Sequence, residues 1–169
     1  MSIAQSLLPE FDNEVATTRK VLERVPFDKI TWKPHPKSGT MGWLASHVAG
    51  IVGWCKETFT RSELDLAPDG KQPAPDPVPA SQEELLAKFD KCVAAGREAL
   101  AAATDEQMMG TWKLLMTGRE ILALPRIAVY RGFVMNHMIH HRGALSVYLR
   151  LCDVPVPSIY GPSADEPNF

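Results

Sequence analysis

The stretch "RIAVYRGFVMNHMIHHRGALSVYLRL", Arg126 to Leu151, reads as one helix, with Pro125 suited to its first turn. Within it Tyr130, Val134, His137, His141, Leu145 and Tyr148 recur at spacings of three or four, the period that brings side chains onto one face. Two of these six are histidines at i and i+4, so their imidazoles point the same way, one turn apart. The stripe is expected to face the core, and burying two imidazoles without partners costs free energy. A metal ion gripped by the pair therefore competes with hydrogen-bonded packing as the reading of this segment.

The chain has five histidines. His140 lies about 100° round the helix from His141, so it does not join an ion that His137 and His141 hold, and an outer or interface place is expected for it. His35, between prolines in "KPHPKSG", reads as an exposed loop residue. His47 sits mid-helix in "MGWLASHVAGIVGWCKETFTRSEL", Met41 to Leu64, on a face shared with Trp43, Ile51 and Trp54. It is a candidate third ligand, although spacing alone does not bring it to the other two.

"HMIHH" invites comparison with the HExxH motif of zinc proteases, in which a glutamate beside the first ligand activates water. Met138 stands in that place, which disfavours proteolysis. No Glu-x-x-His occurs, so a di-iron carboxylate site is disfavoured too. Three imidazoles with open positions suit zinc, nickel, iron or manganese.

The rest of the chain frames this segment. Leu7, Leu8, Phe11, Val15, Val21 and Leu22 mark an amphipathic first helix over about Ser2 to Arg24. Prolines 26, 34 and 36 with Gly39 break it before Thr40, a plausible N-cap for the His47 helix. Five prolines from Pro68 to Pro79 mark an extended crossover. Ser81 with Glu84 signals a capping box for a third helix, "ELLAKFDKCVAAGREALAAA". "TDEQMMGTWKLLMTGREILAL" suggests a short helical turn followed by extended chain, and the proline-rich tail is irregular. Four long helices and no convincing strand series predict an all-α four-helix bundle, whose core commonly hosts metal sites.

With 169 residues the chain suits one domain, residues 1–169. A net charge of -2 leaves no electrostatic footprint for nucleic acid or an anionic membrane surface. No apolar run approaches the ~20 residues of a membrane helix, and no secretory leader is evident, so a cytoplasmic protein is expected. Cys55, Cys92 and Cys152 form no CxxC pair and are expected reduced and packed in helices. Arg142 reads as half of a structural ion pair. Trp43, Trp54, Tyr130 and Tyr148 are expected in the core rather than over a metal, and Cys55 away from it. Tyr160 would help close the site if the tail folds over the bundle mouth.

"ITWKPHPKSGTMG", "GWLASHVAG", "NHMIHHRGALSVYLRL" and the tail "VPVPSIYGPSADE", taken together and in order, resemble the DinB-like superfamily of metal-dependent enzymes, related to the YfiT-like thiol transferases. The resemblance spans nearly the whole chain. It implies an up-down-down-up four-helix bundle, commonly homodimeric, with one divalent metal held by His47, His137 and His141. Many members have Gln after the Arg-Gly where Ala144 stands here. Relatives transfer low-molecular-weight thiols such as bacillithiol or use mycothiol in an isomerisation. The implied function is therefore a metal-dependent enzyme, a thiol-dependent S-transferase or a hydrolase, acting on a small-molecule substrate with a metal-activated thiol or water. The alternative is a non-catalytic, stress-responsive protein with a structural ion.

Overall fold

A computed structural model of the chain describes residues 2–71 and 76–167. It is mostly helical, with a small sheet beside the helices. Helix α1 (Ile3–Leu22) opens with a reciprocal capping box between Ser2 and Gln5. A single 3-10 turn at Phe27–Lys29 leads toward α2 (Met41–Ile51), which Thr40 caps by accepting from the Trp43 amide at 3.1 Å.

The helix expected over Met41–Leu64 is broken: α2 stops at Ile51 and a second helix, α3, spans Trp54–Thr60. Gly53 lies at the break. A Cβ there would stand 3.1 Å from the Gly50 carbonyl and 3.2 Å from Cys92 Sγ, so glycine is what lets the neighbouring helix come this close. The residues beyond α3 enter a strand, β1 (Glu63–Asp65).

Residues 72–75 of the expected proline-rich crossover lie outside the described residues. Helix α4 (Gln82–Ala102) follows, and Ser81 Oγ accepts from the Glu84 amide at 3.1 Å. The other half of the expected capping box is different: the Glu84 carboxylate takes the Ala80 amide, at 2.8 Å. A short helix α5 (Asp105–Met109) then leads into β2 (Thr111–Met116) and β3 (Arg119–Pro125).

These strands correct the all-α expectation. The sheet order is β1-β2-β3, with β1 parallel and β3 antiparallel to β2. Trp112 and Leu114 alternate inward from exposed Thr111 and Lys113, the period of a strand. Thr117 and Gly118 close the hairpin with φ of 52° and 75°, the left-handed pair that a two-residue hairpin turn demands. Trp112, Leu114 and Val129 form a small second core on which Trp54 also packs. The sheet thereby supports α3 from below.

The last helical run comprises α6 (Arg126–Val129), a π-helical stretch (Tyr130–Asn136) and α7 (His137–Leu151). Pro125 is its N-cap rather than part of its first turn. Helix α7 packs on α1 and α2, and α4 packs on α1, α2 and α3. Met138, Leu145 and Leu149 are fully buried, each stabilising the seat of α7 by about 1.5–3 kcal/mol. Among the described residues no helix is long and apolar enough to cross a membrane.

Candidate metal centre

The core-facing stripe of α7 is rotated from the one the spacing suggests. Met138, Arg142, Leu145 and Leu149 are buried, whereas His137 and His141 are half-buried at its edge. That edge faces α2, and His47 meets the pair there. One ring nitrogen from each of His47, His137 and His141 lies within 4.8 Å of the others. The Nε2 atoms of His47 and His137 are 3.2 Å apart. Two nitrogen ligands on a tetrahedral zinc, at about 2.0–2.1 Å from the ion, stand roughly 3.3 Å apart, so the spacing fits a shared cation.

The orientation of the rings also fits. His137 Nδ1 lies 3.3 Å from the carbonyl of Phe133, one turn earlier in the π-helical stretch. A proton on Nδ1 donated to that carbonyl leaves Nε2 with its lone pair toward His47. Trp43 stacks on His47 with centroids 5.1 Å apart and planes 12° from parallel, and it meets His141 edge-on. The indole holds two of the three imidazoles in place.

The electrostatics favour neutral rings. Burial lowers the pKa of His47 and of His137, and the nearby imidazoles add to the effect. For His141, burial and then the charges of His47, His137 and His140 bring the value down to about 4. Near pH 7 all three present lone pairs, the form a metal needs.

Beside the rings lies a cavity of about 100 Å³ lined by His47, Gly50, Ile51, Trp54, Asp76, Phe133 and His137. Phe133 and His137 also line an outer groove of about 390 Å³ with Gly132, Asn136 and His140. His140 is exposed on that outer side, its ring 4.9 Å from the ring of His141, and stands outside the three-histidine group. His35 is an exposed loop residue whose Nδ1 accepts the Lys37 amide at 3.1 Å.

The aromatic residues divide. Trp43 and Trp54 flank the site, Tyr130 is buried against Phe59, and Tyr148 packs edge-on against Trp32. Cys55 is buried, donates to the Gly96 carbonyl at 3.3 Å, and burial pushes its thiol up to about 12. It takes no part in the site. Arg142 forms the expected ion pair, with Glu14 at 2.7 Å, and the two side chains are 1% and 7% exposed. Tyr160 closes over this pair, not over the histidines: its hydroxyl receives Arg142 Nη2 at 2.7 Å and donates to the Glu14 carboxylate at 2.9 Å.

Two lining residues, Asp76 and Phe133, are not among the candidates read from the sequence. Asp76 is remote in sequence from every ligand candidate. Phe133 precedes His137 by four residues, and that spacing is the one clue to its place.

The chain is similar to known proteins in sequence and in fold. YrdA, an uncharacterized protein of Bacillus subtilis (strain 168), is 25% identical over 160 residues, covering 94% of this chain and 89% of that protein. The crystal structure of a DinB-like protein from Bacillus cereus ATCC 10987 matches with a TM-score of 0.72 at 24% identity, covering 94% of this chain and 98% of that one. YjoA, a DinB-like protein from Bacillus subtilis, matches with a TM-score of 0.68 at 18% identity, covering 91% and 96%. The model of the DinB family matches residues 1–168, and the chain belongs to the DinB family.

Proposed function

We propose that this chain is a cytoplasmic, mononuclear metal-dependent enzyme in which His47, His137 and His141 hold one divalent ion. The observation that carries this reading is the convergence of three neutral imidazoles beside a cavity. A bound divalent ion lowers the pKa of a thiol or water and makes a nucleophile available near neutral pH. A thiol-dependent S-transferase or a hydrolase is the activity that follows, with zinc, nickel, iron or manganese as the ion.

The chain's own residues supply the rest. Phe133 fixes the His137 tautomer, Trp43 fixes the His47 ring, and Ile51, Trp54 and Phe133 give the cavity apolar walls. The outer groove offers room for the body of a small-molecule substrate. We read the four long helices α1, α2, α4 and α7 as an up-down-down-up bundle forming one domain that pairs as a homodimer. Exposed Val147 and Leu151 on α7 support the pairing, and sedimentation checks it.

The competing role, a structural ion, requires a closed coordination sphere. Among the described residues the histidine group includes no fourth protein donor. Cobalt-loaded protein tests the reading. Added 2-mercaptoethanol is expected to change the visible absorption, and chelation is expected to leave the circular dichroism of the helices intact. Absorption indifferent to thiol, with helices lost on chelation, would establish a structural ion instead.

A further inference from the structure

Among the described residues Asp76 is the one carboxylate lining the inner cavity. It belongs to the crossover, its side chain is 57% exposed at the cavity rim, and one of its oxygens is tied to α4. Its Oδ2 accepts from Lys88 Nζ at 2.9 Å, and the same ammonium donates to the carbonyl and hydroxyl of Ser46 at 3.1 and 3.0 Å. Ser46 Oγ in turn donates to the Pro77 carbonyl at 2.9 Å. Ser46 directly precedes His47, so the clamp ties Asp76 to the helix that presents a ligand.

Gly50 makes the approach possible. A Cβ at that position would stand 3.1 Å from Asp76 Oδ2 and 3.4 Å from Lys88 Nζ, so a side chain at position 50 would crowd the carboxylate and shift it by a few tenths of an ångström. Among the described residues Oδ1 of Asp76 accepts no hydrogen bond.

We propose that Asp76 is a ligand-binding residue of the inner cavity, whose carboxylate accepts a hydrogen bond from a small donor-bearing group seated beside His47 and His137. The remaining walls are Gly50, Ile51, Trp54 and Phe133, so once the histidine lone pairs are engaged by the ion a donor has no competing side-chain acceptor there, and a ligand offering only acceptors meets a like charge. The cavity has room for a few water molecules, which limits the recognised head to a hydroxyl, amine, N–H or water. Lys88 keeps the carboxylate aimed. This assignment rests on the three-histidine reading above.

Imidazole and 1-methylimidazole provide the test, because both offer a nitrogen to cobalt and only the first keeps an N–H for Asp76. Each is titrated into cobalt-loaded wild type, Asp76→Ala and Gly50→Ala, following the visible absorption. Wild type should prefer imidazole, and Asp76→Ala should reduce that preference by about tenfold or more, as expected for a hydrogen bond to a charged group. Cobalt affinity should stay within about threefold of wild type by the same reasoning. Gly50→Ala, which displaces the carboxylate and keeps its chemistry, should reduce the preference partway. An unchanged preference in Asp76→Ala, or no preference in wild type, overturns the assignment and leaves the three-histidine site standing. Loss of cobalt from Asp76→Ala also overturns it, since Asp76 would then act on the metal. Wild type that takes no cobalt fails at the earlier step, and both readings fall together.

Discussion

His141 and Arg142 are neighbours in the chain, and the fold treats them in opposite ways. Arg142 turns inward, is 1% exposed, and gives its hydrogens to Glu14, Thr18 and Tyr160. His141 stays half-buried with His47 and His137, one ring nitrogen of each within 4.8 Å of the others. One cluster joins α1, α7 and the tail, with each charge answered. The other gathers three groups that repel one another once protonated. Satisfied polar groups fix a structure; convergent lone pairs await a cation.

Substitutions should separate the two. Arg142→Met leaves the Glu14 carboxylate buried without its partner and is expected to lower unfolding free energy by about 3–5 kcal/mol, read by urea denaturation. In the metal-free protein, His47→Ala, His137→Ala or His141→Ala should change stability far less, because no buried charge is stranded. Equal losses at both clusters would erase the distinction drawn here.

Tyr160→Phe sharpens it further. Removing one hydroxyl that bonds both Arg142 and Glu14 should cost about 1–2 kcal/mol in the same denaturation experiment, with metal content unchanged. A Tyr160 that closed the metal site would show the reverse pattern.

Acid should act on the histidine side. The folded state depresses the three imidazole pKa values, that of His141 to about 4, against about 6.5 in the unfolded chain. The unfolded state therefore binds more protons between these values. Its contribution to stability is complete above about pH 6.5 and is lost as pH falls toward the folded values. Metal-free wild type should lose stability on acidification from neutrality, and His141→Ala should flatten part of that slope in pH-dependent melting curves. The smallest effect is expected from His140→Ala, exposed and outside the group, at no more than about 0.5 kcal/mol.

Helical spacing made His137 and His141 legible as ligand candidates, because an i, i+4 pair is a local property of the chain, and the family resemblance joined His47 to them. The ion pair of Arg142 was legible for the same reason: it lies one residue, and so a large rotation, from His141. The exact face was not. The rotated stripe of Met138, Arg142, Leu145 and Leu149 depends on how α1 and α2 pack against α7, which spacing does not encode. The break at Gly53 coincides with the close approach of Cys92 on α4, a helix remote in sequence. The hairpin was half visible as extended chain after a helical turn; Thr-Gly is a weaker turn signal than Asn-Gly, and the alternation of Trp112 and Leu114 is short. Asp76 reaches the cavity only through contacts with Lys88 and Ser46, and nothing local announces it.

The central claim is that the histidine cluster, and not the arginine cluster, is the functional one. Elemental analysis of the protein produced without a polyhistidine tag or a nickel column, which three open imidazoles would strip of its ion, tests it most directly. About one divalent ion per chain is expected in wild type, Tyr160→Phe and His140→Ala, and none in His47→Ala, His137→Ala or His141→Ala. Metal-free wild type that takes up no divalent ion on addition, or metal retained after loss of any one of the three, would contradict the account.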